Sequence, residues 1–268
     1  MINPSKNFSV SSLKVNVYNS EAEIARAAAE IVYEYLYNVL QEQETASVLL
    51  ATGNSQLKFL DELISLGGID WSRVICFHLD EYLGISANHS ASFRQYLREK
   101  VEQKVHPQVF HYIEGDTQQP LIECARYSQL LQTDKIDLCL LGIGENGHLA
   151  FNDPKVADFN DQYIVKLVKL DEVNRQQQVN TGYFSNIEQV PQYAFTVTIP
   201  TICAAKRIIC LAPGQRKAKI IAQMLQGQVT TTCPASILRH QSQATLFLDV
   251  DSASLIPPTP LNKGGFKL

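Results

Sequence analysis

A histidine and an aspartate, His148 and Asp153, share the stretch LLGIGENGHLAFNDP at residues 140–154. An imidazole titrates near neutrality and can move protons in either direction, and a carboxylate close by would orient and tune it. Two further acids, Asp80 and Glu81, follow the apolar run RVICFHL at 73–79. A carboxylate partly desolvated at a strand end can serve as a base, whereas a pair of adjacent acids in a solvated turn would do nothing. Anion chemistry is suggested elsewhere. In ATGNSQLKFL, the small residues Thr52, Gly53, Asn54 and Ser55 stand between an apolar run and a helical pattern. There, backbone N–H groups and a helix N-terminus can receive a negative charge, or Asn54 or Ser55 can simply cap the helix. Lys217 lies in LAPGQRKAKII and Arg175 in DEVNRQQQVNTGYF. A lysine at a helix start opposes the helix dipole unless an anion is bound, which marks Lys217 as a phosphate candidate. His78, Asp80 and His89 lack any recognised metal-ligand spacing, so no metal is expected.

The same 140–154 stretch contains Gly142, Gly144 and Gly147, spelling G-x-G-x-x-G after an apolar run. As a dinucleotide fingerprint it would need its third glycine to open a crossover helix. HLAFNDPKVADFNDQ follows instead, with Pro154 and scattered Asn and Asp residues that disfavour one. Asp171 falls near the roughly 20-residue separation at which the fingerprint expects its acid. Without the helix the pyrophosphate has no dipole to sit on, so no nucleotide cofactor is expected.

Positioning these groups requires a frame, and the frame is legible. Apolar runs at 14–18, 47–52, 73–79, 136–144, 163–170, 194–199, 207–212 and 244–250, with a weaker one at 108–113, alternate with helical patterns. The helical patterns cover 55–66, 89–105, 118–133, 171–184 and 215–226, and an earlier one follows a capping box at Ser20 and Glu23. Near-continuous apolar strands suit a sheet buried on both faces. The expected fold is α/β: a doubly wound, mostly parallel sheet with helices on both faces, Rossmann-like and three-layered, in a single domain over 1–255. The Pro/Gly-rich tail 256–268 is expected to be an extended strap or disordered. In such a fold the ligand site lies beyond the carboxyl ends of the strands.

Composition narrows the function classes. The 268 residues are 45% hydrophobic and 19% charged, with a net charge of −4. There is no basic block to bind nucleic acid, and no run approaches the ~20 apolar residues that span a bilayer. The opening stretch has no charged region followed by a long apolar one, so a cytoplasmic location is expected. Six cysteines lie scattered, with no C-x-x-C, and read as reduced, mostly structural thiols.

Taken together, ATGNSQLKFL, FHLDEYLGISANHSASF, DLCLLGIGENGHLAFNDP, NRQQQVNTGYF, VPQYAFTVTIPTICAAKRII and PGQRKAKII resemble the glucosamine-6-phosphate deaminase (isomerase) family over most of the chain. The related 6-phosphogluconolactonases share the G-x-x-G-H core but carry a T-A-S-L-F-P type of sequence where this chain has LAFNDP. The resemblance implies conversion of D-glucosamine 6-phosphate and water to D-fructose 6-phosphate and ammonia without a cofactor. It assigns ring opening to His148, orientation of its imidazole to Asp153, and proton transfer between C2 and C1 to Asp80. It places Asn146 in the catalytic loop, and the phosphate on Thr52, Gly53, Asn54, Ser55, Arg175 and Lys217, with Gly144 and Gly147 shaping the substrate site. Well-known members have aspartate at the position of Asn146 and glutamate at that of Asp153. The partner expected is a small-molecule sugar phosphate, with no nucleic acid and no membrane, and with a homo-oligomer left open. Two other readings are a sugar-phosphate lactonase, which needs no C2 base, and a non-catalytic sugar-phosphate sensor. A sensor of this type carries a helix-turn-helix segment ahead of the domain, whereas the strand pattern here begins by residue 14.

Overall fold

The computed structural model describes residues 2–257 except Asp134 and Thr181, and the side chains of Val173 and Gln177 are also left aside. Most of the expected tail, 258–268, lies outside the described residues.

The chain opens with a hairpin of β1 (Lys6–Val10) and β2 (Leu13–Tyr18), followed by α1 (Glu21–Glu42), β3 (Ala46–Leu50), α2 (Asn54–Leu66) and β4 (Val74–His78). Next come a three-residue strand β5 (Asp80–Tyr82), α3 (Phe93–Leu97), a π-type turn, α4 (Gln103–Val105), β6 (Val109–His111), α5 (Pro120–Thr133) and β7 (Leu138–Gly142). The remainder is β8 (Val165–Lys169), α6 (Glu172–Asn180), β9 (Tyr193–Val197), α7 (Ile199–Cys203), β10 (Arg207–Leu211), α8 (Ala218–Gln226) and β11 (Ala244–Asp249). The α1 cap forms as expected: Ser20 Oγ accepts from the Glu23 N–H, and the Glu23 carboxylate accepts from the Asn19 N–H.

Eight strands form one sheet in the order β1-β2-β11-β10-β7-β3-β4-β6. Every pairing in it is parallel except β1 with β2. From β3 the chain winds outward through β4 and β6, then returns to β7 and winds the other way through β10 and β11. The reversal leaves β3 and β7 side by side with diverging connections at their carboxyl ends, which is where an open α/β sheet forms its crevice. Alternate strand residues feed opposite cores. Leu49, Cys139 and Leu141 pack with Tyr127 of α5 and Met224 of α8. Val48, Leu50, Leu138 and Leu140 pack with Leu36 of α1 and Phe59 of α2. The fold is therefore the doubly wound, three-layered single domain that the sequence pattern predicts.

Two of the apolar runs belong elsewhere. The runs at 163–170 and 194–199 form β8 and β9, which with β5 make a separate antiparallel sheet, not strands of the parallel one. The second run ends in α7 rather than continuing as strand. Pairing direction is set by partners distant in sequence, and an apolar run does not reveal it. Leu79 joins the two sheets: its N–H donates to Leu50 O and its carbonyl accepts from Val197 N–H. The strand at β1 carries too short an alternation to stand out. Five cysteines are buried, Cys203 is half-buried, and all six are free thiols. Among the described residues no helix is long and apolar enough to cross a membrane.

Candidate active site

The loop leaving β7 is built around close approaches that only glycine allows. A Cβ on Gly144 would lie 2.2 Å from Cε1 and 2.3 Å from Nδ1 and Nε2 of His148, so the bare backbone is what the imidazole rests on. Gly147 takes a left-handed backbone (φ 84) against Cys233 and Ile220. The Gly144 N–H donates to His148 O, and the Gly147 N–H to Gly144 O, closing the loop on itself. The following turn places Ala150 at φ 52, and the buried Asn152 amide ties it to Leu149 O and Val197 O. No helix follows Gly147, and Asp171 is spent on α6, where its carboxylate accepts from the Asn174 N–H at 2.8 Å. Neither condition of a dinucleotide site is met.

His148 is held from two sides. Its backbone N–H donates to Asn146 Oδ1 at 3.0 Å, and Asn146 Nδ2 donates to Asp153 Oδ1 at 2.8 Å. Asp153 Oδ1 in turn lies 3.0 Å from His148 Nδ1, off the line of the ring N–H. Asn174 Nδ2 donates to both Asp153 oxygens, at 3.2 and 3.1 Å. Burial acts to raise the Asp153 pKa, but the nearby His148 and the two asparagine donors outweigh it and hold the carboxyl below its ordinary value. With Nδ1 turned to Asp153, Nε2 is the ring nitrogen available to a ligand.

The two acids of DEY face opposite ways and divide the work. Glu81 is fully buried, and its carboxylate accepts from the N–H groups of Tyr82, Phe93 and Arg94 and from Ser92 Oγ. It thereby anchors the start of α3 and the loop before it. Asp80 is 8% exposed, and among the described residues no donor reaches its carboxylate. Desolvation, with the neighbouring Glu81 charge second, pushes its pKa well above the usual carboxylate range. The adjacent acids are thus strand residues of β5 and not a solvated turn. His78 Nε2 accepts from Ile113 N–H and His89 Nδ1 from Ala91 N–H, and among the described residues no group of three candidate ligands converges on a metal position.

Asp80 and His148 line one cleft of about 260 Å³. Its wall also carries Thr52, Gly53, Asn54 and Ser55 after β3, Gly144 after the adjacent β7, and Arg216 and Lys217 after β10 on the other side of β7. The backbone of Gly53 is left-handed (φ 104) and α2 has no side-chain cap; the Gln56 N–H donates to Gly53 O, and the N–H groups of Asn54 and Ser55 are left for a ligand. Gly142 lets α2 approach, since a Cβ there would lie 3.3 Å from Ser55 Oγ. The Tyr96 hydroxyl donates to Gly53 O and steadies the turn. Both Asp249 oxygens accept from the Gly214 N–H, fixing the turn before Lys217. Desolvation, with the Arg216 charge behind it, lowers the Lys217 pKa, and Glu145 opposes that shift.

Not every expected residue reaches the cleft. The Arg175 guanidinium donates to Ile187 O and Val190 O, and the residue is absent from the wall. Its neighbour Asn174, one position earlier on α6, lines the cleft instead. Gly147, Asn146 and Asp153 stand behind His148 as its support. The sequence reading also missed Glu145, Arg216, Tyr96, Phe151 and Tyr183 in the wall. Arg216 had a signal in its adjacency to Lys217, whereas the aromatic residues had none.

Comparison with known proteins identifies the family. Residues 19–247 match the family model described as glucosamine-6-phosphate isomerases/6-phosphogluconolactonase. The chain belongs to this family. It is 33% identical over 257 residues to the glucosamine-6-phosphate deaminase of Thermoanaerobacter sp. (strain X514), covering 94% of this chain and 98% of that protein. It is 35% identical over 249 residues to glucosamine-6-phosphate deaminase 2 of Bacillus subtilis (strain 168), covering 90% of this chain and 96% of that protein. Among solved structures, a monomeric glucosamine-6-phosphate deaminase superposes with a TM-score of 0.82 at 32% identity, over 90% of this chain and 99% of that one. The 6-phosphogluconolactonase of Thermotoga maritima shares the fold, with a TM-score of 0.72 at 18% identity over 88% of this chain and 99% of that one.

Proposed function

We propose that this family member converts D-glucosamine 6-phosphate and water to D-fructose 6-phosphate and ammonia. One observation carries the reading: a desolvated carboxylate without donors, Asp80, shares a cleft with a braced imidazole, His148, and with an anion-receptive turn. The phosphate sits on the Thr52–Ser55 turn and α2 N-terminus beside Lys217, which fixes the reacting carbons through binding energy remote from the chemistry. His148 moves a proton from the anomeric hydroxyl to the ring oxygen and opens the ring. Asp153 orients the imidazole, and Asn146 and Asn174 hold Asp153. Asp80 takes the C2 proton, giving an enolamine, and returns a proton to C1. The resulting C2 iminium adds water and expels ammonia to leave the ketone. Acid–base groups suffice for every step, so the mechanism invokes no metal or other cofactor. Every group named belongs to one chain, and the reading places the enzyme in the cytoplasm.

A lactonase needs no base aimed at C2, and Asp80 as placed argues for the deaminase. Purified protein should release ammonia and ketose phosphate in equal amounts from glucosamine 6-phosphate or its galactosamine epimer. Hydrolysis of a sugar-phosphate lactone with no ammonia from either amino sugar would reverse the choice.

A further inference from the structure

The proposed phosphate end holds a charge problem. Among the described residues two cations line the cleft, Lys217 and Arg216, against three carboxylates, Glu21, Asp80 and Glu145. A phosphate monoester brings a charge of about −1.5 to −2 at neutral pH. Lys217 alone supplies a single positive charge against it. Arg175, which the sequence offered as a second cation, has its guanidinium committed to two backbone carbonyls. Lys58 is paired with Glu21 at the cleft mouth.

Arg216 is differently placed. It sits next to Lys217 in the 3-10 turn Gln215–Lys217 that leads into α8. Its side chain is 71% exposed, and its Nη1 lies 3.7 Å from Oε1 of Glu145, itself 42% exposed. An exposed pair at that separation is weak and easily exchanged. Glu145 lies between Gly144 and Asn146, on the loop that presents His148. A guanidinium offers two parallel N–H donors that match a phosphate better than they match a single carboxylate oxygen at long range.

We propose that Arg216 is a substrate-binding residue whose guanidinium leaves Glu145 and closes on the phosphate of the bound sugar. Glu145 is then a competing anion that holds the arm near the cleft when it is empty and opposes the incoming dianion. The proposal rests on the phosphate lying at the Thr52–Ser55 end of the cleft, and it makes Arg216 the second cation there in place of Arg175.

The test is direct binding of inorganic phosphate to the full chain by calorimetry, which needs no turnover, alongside steady-state kinetics on glucosamine 6-phosphate. Arg216→Ala should weaken phosphate binding roughly ten- to a hundredfold, the worth of one hydrogen bond to a charged group, with the kinetic loss falling on KM rather than kcat. Arg216→Lys should recover part of it. Glu145→Gln should tighten phosphate binding, and that gain should vanish when Arg216→Ala is added. Phosphate affinity of Arg216→Ala within about twofold of the unsubstituted protein, far below the worth of such a bond, would overturn the proposal. So would failure of the unsubstituted protein to bind millimolar phosphate. Phosphate binding that depends on Arg216 in a protein that releases no ammonia would leave the proposal standing and remove the deaminase reading. Ammonia release with phosphate affinity indifferent to Arg216 would do the reverse.

Discussion

Gly144→Ala probes how the catalytic loop works more sharply than removing His148 itself. The added methyl would stand 2.2 and 2.3 Å from three imidazole atoms, where non-bonded carbons rest about 3.5–4.0 Å apart. One partner must therefore shift by roughly 1 Å or more. Gly144 is not among the residues with a left-handed backbone, so alanine fits its conformation and the loop can stay in place. The imidazole is the movable part, since leaving its rotamer costs only about 0.5–1.5 kcal/mol. Moving it breaks the 3.0 Å approach to Asp153 and takes Nε2 from its working position. The expected result is a fall in kcat of about 10²–10⁴, the usual worth of an acid–base group. That corresponds to roughly 2.7–5.5 kcal/mol at 1.36 kcal/mol per decade. Stability should change by only about 1 kcal/mol, or about 2–4 °C in melting temperature for a chain of this size. A double-mutant cycle makes the assay specific. In a His148→Ala background the clash has no object, so Gly144→Ala should then cost almost nothing. Near-normal turnover of the single variant, or a double variant much slower than His148→Ala, would refute the idea that Gly144 exists to seat the imidazole.

Two other perturbations follow from the titration of the site. Asp80 has a folded pKa raised above 3.8 by burial, so the native state binds the extra proton and stability declines as pH rises from that value toward the folded one. Asp80→Asn should therefore cut deamination by about 10²–10⁴ while raising the melting temperature at neutral pH, as functional groups held under strain often do. A less stable variant in a thermal scan would contradict the burial argument. Asp153 has the opposite sign: its depressed pKa contributes stability above 3.8 that is lost as pH falls through the folded value. Asn174→Ala removes a donor to both its oxygens, so acid unfolding followed by circular dichroism should begin at higher pH. Superimposable acid-unfolding curves would show that Asn174 does not stabilise the charged carboxylate.

The parts of the site legible in the sequence are those fixed by local chemistry. Near-continuous apolar runs disclosed the buried strands, and the residues just beyond β3, β4, β7 and β10 line the cleft because that is where a doubly wound sheet opens. What could not be read depended on partners distant in sequence. The runs at 163–170 and 194–199 looked like core strands because they are mostly apolar, and the second is wholly buried, yet their ladder is antiparallel and lies outside the main sheet. Arg175 and Asn174 differ by one position on a polar helix, about 100° of rotation at 3.6 residues per turn. The sequence offers few apolar residues there to fix which of them faces inward, and the arginine was the more conspicuous.

The G-x-G-x-x-G pattern shows why spacing alone misleads. Each glycine answers a separate steric demand: Gly142 admits the start of α2, Gly144 admits the imidazole, and Gly147 turns the chain against Cys233 and Ile220. A dinucleotide fold would use the same three positions to bring a pyrophosphate onto a crossover helix. Here the anion-receptive helix start belongs to α2, one strand away across the β3–β7 switch point. Catalytic loop and anion turn thus come from different strands of one sheet. The proposed reaction uses that separation: the α2 turn takes the phosphate while His148 and Asp80, on loops from other strands, are left for the reacting carbons.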